Sequence, residues 1–180
     1  MARPPHARES VLDAWERLLI DAGERAATLE ATARAAGVSK GGLLYHFGSK
    51  DALESALLER LRMLVDADVT AIRSAPEGGV AYFLRTSVMA DDALDRAVIA
   101  ASRLAQGGSE AAAAALADMR ERWSQALEPL VRDETARDIV LLLSDGLYFN
   151  NALAGAVAAN LPRGKDLDAL IARVVAATAP

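Results

Sequence analysis

The sequence predicts an all-α protein, and three observations carry that prediction. Helix-favouring residues dominate, and aromatic residues are only 4% of the chain. Apolar side chains recur every three or four residues in segment after segment. Nowhere do Val, Ile and Thr alternate with polar residues as a half-buried strand requires. At 52% apolar and 25% charged, the chain can build a packed interior and lacks the composition of an intrinsically disordered one.

The elements follow in order. From Ser10 onward Val11, Trp15, Leu18, Leu19 and Ala22 line one face of a helix that Gly23 stops. Thr28 is placed to cap a helix of about two turns over residues 29–36, which Gly37 ends. Ser39 caps a third short helix over residues 40–47, anchored by Leu43, Leu44 and Phe47 and closed by Gly48. Ser49 caps a long fourth helix. Asp51 stands in its first turn, where the helix dipole favours a negative charge, and Leu53, Leu57, Leu61 and Leu64 share a face that runs on toward Pro76. Glycine and proline then punctuate helices over residues 80–88, 92–105, 109–127, 133–159 and 166–178. The alanine run 111–115 reads as a packed helix face and not as a linker.

Composition removes several function classes. The chain has 180 residues, enough for one body or two small ones. With no cysteine there are no disulfides, thiolate metal sites or cysteine nucleophiles. Imidazole comes only from His6 and His46, so no nucleophile–base constellation forms. No catalytic residue, cofactor or metal is expected. No apolar run approaches the roughly 20 residues of a membrane span, and the N-terminus has no apolar core of a secretory signal. A cytoplasmic location without a membrane partner is expected. The net charge is -5, with residues 1–50 at net +1 and residues 51–180 carrying the acidic surplus. An acidic whole argues against indiscriminate coating of nucleic acid but leaves room for a small docking surface at the N-terminal end.

Chemistry concentrates in residues 28–47, two short helices joined by Ala36-Gly37-Val38-Ser39. A short glycine-containing turn with a capped second helix is the sequence form of a helix-turn-helix, and on spacing alone also of a plain helical hairpin. Gly37 can adopt positive φ to end the second helix, Val38 can bury between the helices, and Ser39 can satisfy the free N–H groups of the third. The residues Thr28, Thr32-Ala33 and Ala36-Gly37-Val38-Ser39-Lys40-Gly41-Gly42-Leu43-Leu44-Tyr45-His46-Phe47-Gly48-Ser49-Lys50-Asp51-Ala52-Leu53 closely resemble the N-terminal region of TetR-family transcriptional repressors. The likeness covers roughly residues 8–60. It implies an N-terminal three-helix DNA-binding domain over residues 1–50, with the helix-turn-helix at about 28–47. A connecting helix and a larger helical-bundle domain for ligand binding and dimerisation would follow over residues 51–180.

The resemblance further implies that the third helix enters the major groove of double-stranded DNA. Ser39, Lys40, Gly41 and Gly42 would face base edges, while Thr28, Tyr45, His46 and Lys50 would meet the phosphate backbone. Where the family commonly has Tyr, this chain has Leu44. Gly41-Gly42 is thin on side chains, which leaves Lys40 as the one long donor for a guanine edge.

In the larger part, Phe83, Met89, Met119, Trp123, Asp145, Tyr148 and Phe149 are candidates to line a site for a small apolar or amphipathic effector, and equally to be core. The small residues Ala152, Ala154, Gly155, Ala156, Ala158 and Ala159, with Ile171, Val174 and Val175, could pack two helix pairs across a two-fold axis. The expected function is a DNA-binding regulator, a ligand-responsive repressor gripping a palindromic operator as a homodimer. A helical small-molecule carrier or enzyme, or a regulator controlled by a protein partner, are the alternatives.

Overall fold

Local capping fixes the short helices before any packing is considered. In the computed structural model, which describes residues 7–88, 92–152 and 160–180, helix α1 spans Ala7–Ala22, α2 Leu29–Ala35, α3 Lys40–His46 and α4 Lys50–Ser74. Thr28 stands at the N-cap of α2, its Oγ1 accepting from the Ala31 N–H at 3.1 Å; Ser39 does the same for α3, accepting from the Gly42 N–H at 3.0 Å. Gly37, at φ +67°, supplies the left-handed residue that ends α2, and the Val38 N–H returns to the Ala33 carbonyl at 3.0 Å. Then come α5 (Gly79–Thr86), α6 (Ala93–Gln106), α7 (Glu110–Leu127), a 3-10 turn (Glu128–Leu130), α8 (Glu134–Ala152) and α9 (Gly164–Thr178). No strand occurs among the described residues.

The helices gather into two units. The first comprises residues 1–64 and 93–117. Its core holds Trp15 and Leu19 of α1, Leu43 of α3, Phe47, and Leu53 and Leu57 of α4, with Ala100 and Leu104 of α6. Trp15 is fully buried and donates its indole N–H to the Ala27 carbonyl at 3.3 Å, which ties α1 to the approach of α2. Burying each such large apolar side chain contributes about 1.5–3 kcal/mol before chain entropy is subtracted. Helix α6 belongs here because its small face, Ala97, Ala100 and Ala101, lies fully buried and lets it pack close to α1. An ionic cluster reinforces that packing. Glu16 of α1, only 3% exposed, accepts from Arg60 of α4 at 3.0 Å and from Arg96 of α6 at 3.3 Å. Arg60 also reaches Glu9 and Asp13, both at 2.7 Å.

The second unit comprises residues 65–92 and 118–180. Ile72, Phe83, Leu84, Leu127, Val140, Leu141, Leu147, Leu167 and Ile171 form its core. Helix α5 starts close against α4: a Cβ on Gly79 would collide with the Ile72 carbonyl oxygen and with Leu130 Cδ1 at 2.5 Å. Ser87 and Ser144 share a buried hydrogen bond of 2.8 Å between α8 and the residue after α5. Ile171 is buried, and Val174 and Val175 pack partly buried against the same core. Met89, the side chain of Ala152 and residues 153–159, which include the other small residues expected at a dimer surface, lie outside the described residues.

Candidate nucleic-acid interface

Helices α2 and α3, with the turn between them, set out most of the expected DNA-facing residues on one element pair. Thr28 and Ser39 are exposed. Each spends an oxygen lone pair on its helix cap, which leaves the hydroxyl proton free to be donated outward. Gly41 is exposed, with nothing within 4 Å of where a Cβ would stand, so another backbone can approach closely there. Tyr45 is 74% exposed and Leu44 39%, while Leu43 and Phe47 turn inward to the core.

Four expected positions differ in detail. Gly42 is buried, its N–H donated to the Ser39 Oγ, so it shapes the start of α3. His46 stacks edge-on against Tyr45, with ring centroids 5.2 Å apart. Its Nε2 is buried with no hydrogen-bond partner, so that nitrogen is turned away from any phosphate. Lys50 donates to Glu24 Oε1 at 2.8 Å and to the Glu24 carbonyl at 3.4 Å, so its ammonium is already committed. Lys40 of α3 forms an exposed ion pair with Glu30 of α2. That hydrogen bond, with the Glu30 backbone N–H and the Lys40 charge, holds the Glu30 carboxyl below the ordinary carboxylate range. Beside the motif, Arg8 places its guanidinium 4.8 Å over the Phe47 ring, a cation–π contact.

Two cations escaped the sequence reading. Arg25 and Arg34 are exposed, and neither guanidinium forms an ion pair among the described residues. The signal was in their spacing, since Arg25 lies three residues before the Thr28 cap and Arg34 in the last turn of α2.

The candidate effector residues divide. Phe83 of α5 and Trp123 of α7 meet edge to face, with centroids 5.3 Å apart, and Met119 is buried one turn before Trp123. Asp145 is exposed and paired with Arg120, and Phe149 is 64% exposed. Tyr148 is half-buried. What the sequence reading missed is Asp68, 9% exposed, which accepts from Trp123 Nε1 at 2.8 Å and from the Tyr82 hydroxyl at 3.1 Å. Burial raises the Asp68 carboxyl above its ordinary range against the lowering pull of those two bonds. The same burial, with the Asp68 charge beside it, pushes the Tyr82 phenol up to about 12. Its signal was a carboxylate in register with Leu57, Leu61, Val65 and Ile72 on the buried face of α4.

Among the described residues no group of three or more His, Cys, Asp and Glu is placed to hold a metal ion, and no helix is long and apolar enough to cross a membrane.

Comparison with known proteins gives this geometry a family. Residues 11–57 match the profile described as "Bacterial regulatory proteins, tetR family". No curated protein matches the chain significantly. Solved structures with the same fold include a transcriptional regulator from Rhodococcus sp. RHA1, 21% identical over 95% of both chains with a TM-score of 0.67. NalD, the secondary repressor of the MexAB-OprM multidrug efflux pump in Pseudomonas aeruginosa, is 20% identical over 96% of this chain and 95% of that one, with a TM-score of 0.63. The multidrug binding protein EbrR complexed with malachite green is 20% identical over 98% of this chain and 99% of that one, with a TM-score of 0.67. With a capped helix-turn-helix inside the matched segment, residues 11–57 carry the N-terminal helix-turn-helix domain of the TetR family of bacterial regulatory proteins, and the all-α fold of the chain is that of solved transcriptional regulators.

Proposed function

We propose that this regulator is a repressor that grips a palindromic operator as a homodimer and lets go when a small apolar or amphipathic molecule binds its second unit. The observation that carries the reading is the α2–α3 pair, whose exposed Thr28, Ser39, Lys40, Gly41 and Tyr45 leave a small surface matched to one major groove. One such head touches too few bases for useful affinity, and two heads on a two-fold axis read two half-sites. Arg25 and Arg34 add to the phosphate attraction of Lys50, whose ammonium is shared with Glu24. The repressor assignment draws support from NalD, and the effector from EbrR.

The effector reading centres on Phe83, Trp123 and Asp68 in the second unit. An aromatic pair beside a buried carboxylate offers an apolar wall and a polar anchor to one molecule. In a population-shift scheme, that molecule binds better to the form whose reading heads no longer fit successive grooves.

The test is a footprint on the DNA upstream of the protein's own coding region, repeated at several salt concentrations and against a ligand panel. A protected two-fold site, a steep loss of affinity with salt and release by at least one ligand are expected. A monomeric protein that ignores double-stranded DNA in dilute buffer overturns the reading.

A further inference from the structure

Helix α3 is sparse in groups able to question a base. Gly41 has no side chain, Gly42 and Leu43 are buried, and Leu44 is apolar, so Lys40 alone at its leading end carries a long donor. That donor does not stand by itself. Glu30 of the preceding helix reaches it across the turn, ten residues away in sequence, and both side chains remain more than half exposed. A positive and a negative group are thus presented side by side to whatever α3 approaches.

The major-groove edge of a G·C pair has a matching polarity. Guanine N7 and O6 are acceptors at one end, and the cytosine N4 amino group is a donor at the other. An A·T pair has its adenine N6 donor between two acceptors, N7 and thymine O4, with the thymine methyl beyond. A carboxylate approaching that donor is flanked by oxygen and nitrogen lone pairs, so the couple fits A·T less well. Toward bare phosphate it is a poor ligand, because its charges cancel.

We infer that Glu30 is a specificity-determining residue: Lys40 and Glu30 together read one G·C pair in each half-site, Lys40 donating to guanine and Glu30 accepting from the cytosine amino group. The inference rests on α3 as the reading helix. Glu30 also keeps Lys40 from spending its charge on the backbone of unrelated sequences, so it trades general affinity for discrimination.

The test selects duplexes from a pool with randomised positions, using the natural chain, Glu30→Ala, Glu30→Gln and Lys40→Met. The natural chain should enrich G·C at one position per half-site by about tenfold over A·T. Glu30→Ala should flatten that position while leaving the others, and should bind random DNA no more weakly than the natural chain. Glu30→Gln retains an oxygen that can accept from cytosine and should fall between the two. A double variant, Glu30→Ala with Lys40→Met, should be no flatter than Lys40→Met alone, as two groups acting as one require. An unchanged G·C preference in Glu30→Ala, or an equal loss at every position, overturns the inference. A natural chain that enriches no sequence overturns DNA reading itself, a separate outcome into which the variants do not enter.

Discussion

Glu16 is the residue whose loss should be felt furthest. Its carboxylate is nearly solvent-free and takes two charge-assisted bonds, from Arg60 at 3.0 Å and from Arg96 at 3.3 Å. Burial works to lower the Arg60 pKa, yet Glu9, Asp13 and Glu16 together outweigh it and raise the value, so that guanidinium is firmly held. Replacing Glu16 by Gln keeps the volume and removes the charge. Hydrogen bonds to charged groups are each worth about 1.5–3 kcal/mol. Arg60 retains Glu9 and Asp13, and Arg96 is a third exposed, so the full cost of orphaning two buried cations does not apply. The expected loss is about 3 kcal/mol, which for a chain of this size lowers the melting midpoint by about 6–12 °C. Paired thermal melts by circular dichroism at neutral pH read it directly. A Glu16→Gln variant that melts within about 2 °C of the natural chain would refute the claim that this carboxylate holds α1, α4 and α6 together.

Three other outcomes are expected. Burial lifts the Asp68 carboxyl, so the folded chain keeps that proton to higher pH than the unfolded chain and loses stability as pH rises through the folded value. Asp68→Asn, which does not ionise, should gain on the natural chain in urea titrations as pH rises above the ordinary aspartate range of about 4, and a difference constant with pH would count against the account. In the same variant the Tyr82 phenol, at about 12 in the natural chain, should titrate lower by ultraviolet absorbance, because the neighbouring charge is gone. Gly79→Ala should cost about 1–3 kcal/mol in thermal or urea melts through collision with the Ile72 carbonyl and Leu130, and a change below about 0.5 kcal/mol would show that α5 can shift freely. Ser39→Ala should loosen α3 by about 1 kcal/mol, read as faster amide exchange at Gly42 and Leu43; unchanged exchange would mean the cap contributes nothing.

Local chemistry was the legible part of this fold. The caps Thr28 and Ser39, the left-handed Gly37, and the inward Trp15, Leu43 and Phe47 all follow from residue type and from spacing over a few positions, and the structure places them so. Partners distant in sequence were not legible. Nothing within a few residues of Lys50 or Lys40 announces that Glu24 and Glu30 hold them, and free cations were the natural expectation. Helix α6 reads as one more amphipathic segment of the larger part, and only packing shows that its alanine face fits against α1. Asp145 and Phe149 share a helix face as expected, but it is a face turned to solvent. Asp68 could have been noticed, since a carboxylate repeating in step with buried leucines demands internal donors.

The family match ends at residue 57, but the hydrophobic interior around α1 does not. Ala100, Leu104 and Ala112 close it from a stretch of chain that begins some 35 residues further on. Anyone grafting this helix-turn-helix unit onto a foreign body should therefore carry residues 93–117 across with it. A chimaera joined at the end of the recognisable motif would leave Trp15 and Leu19 facing water, and would fail as a hydrophobic surface seeking a cover before it failed as a reader of DNA.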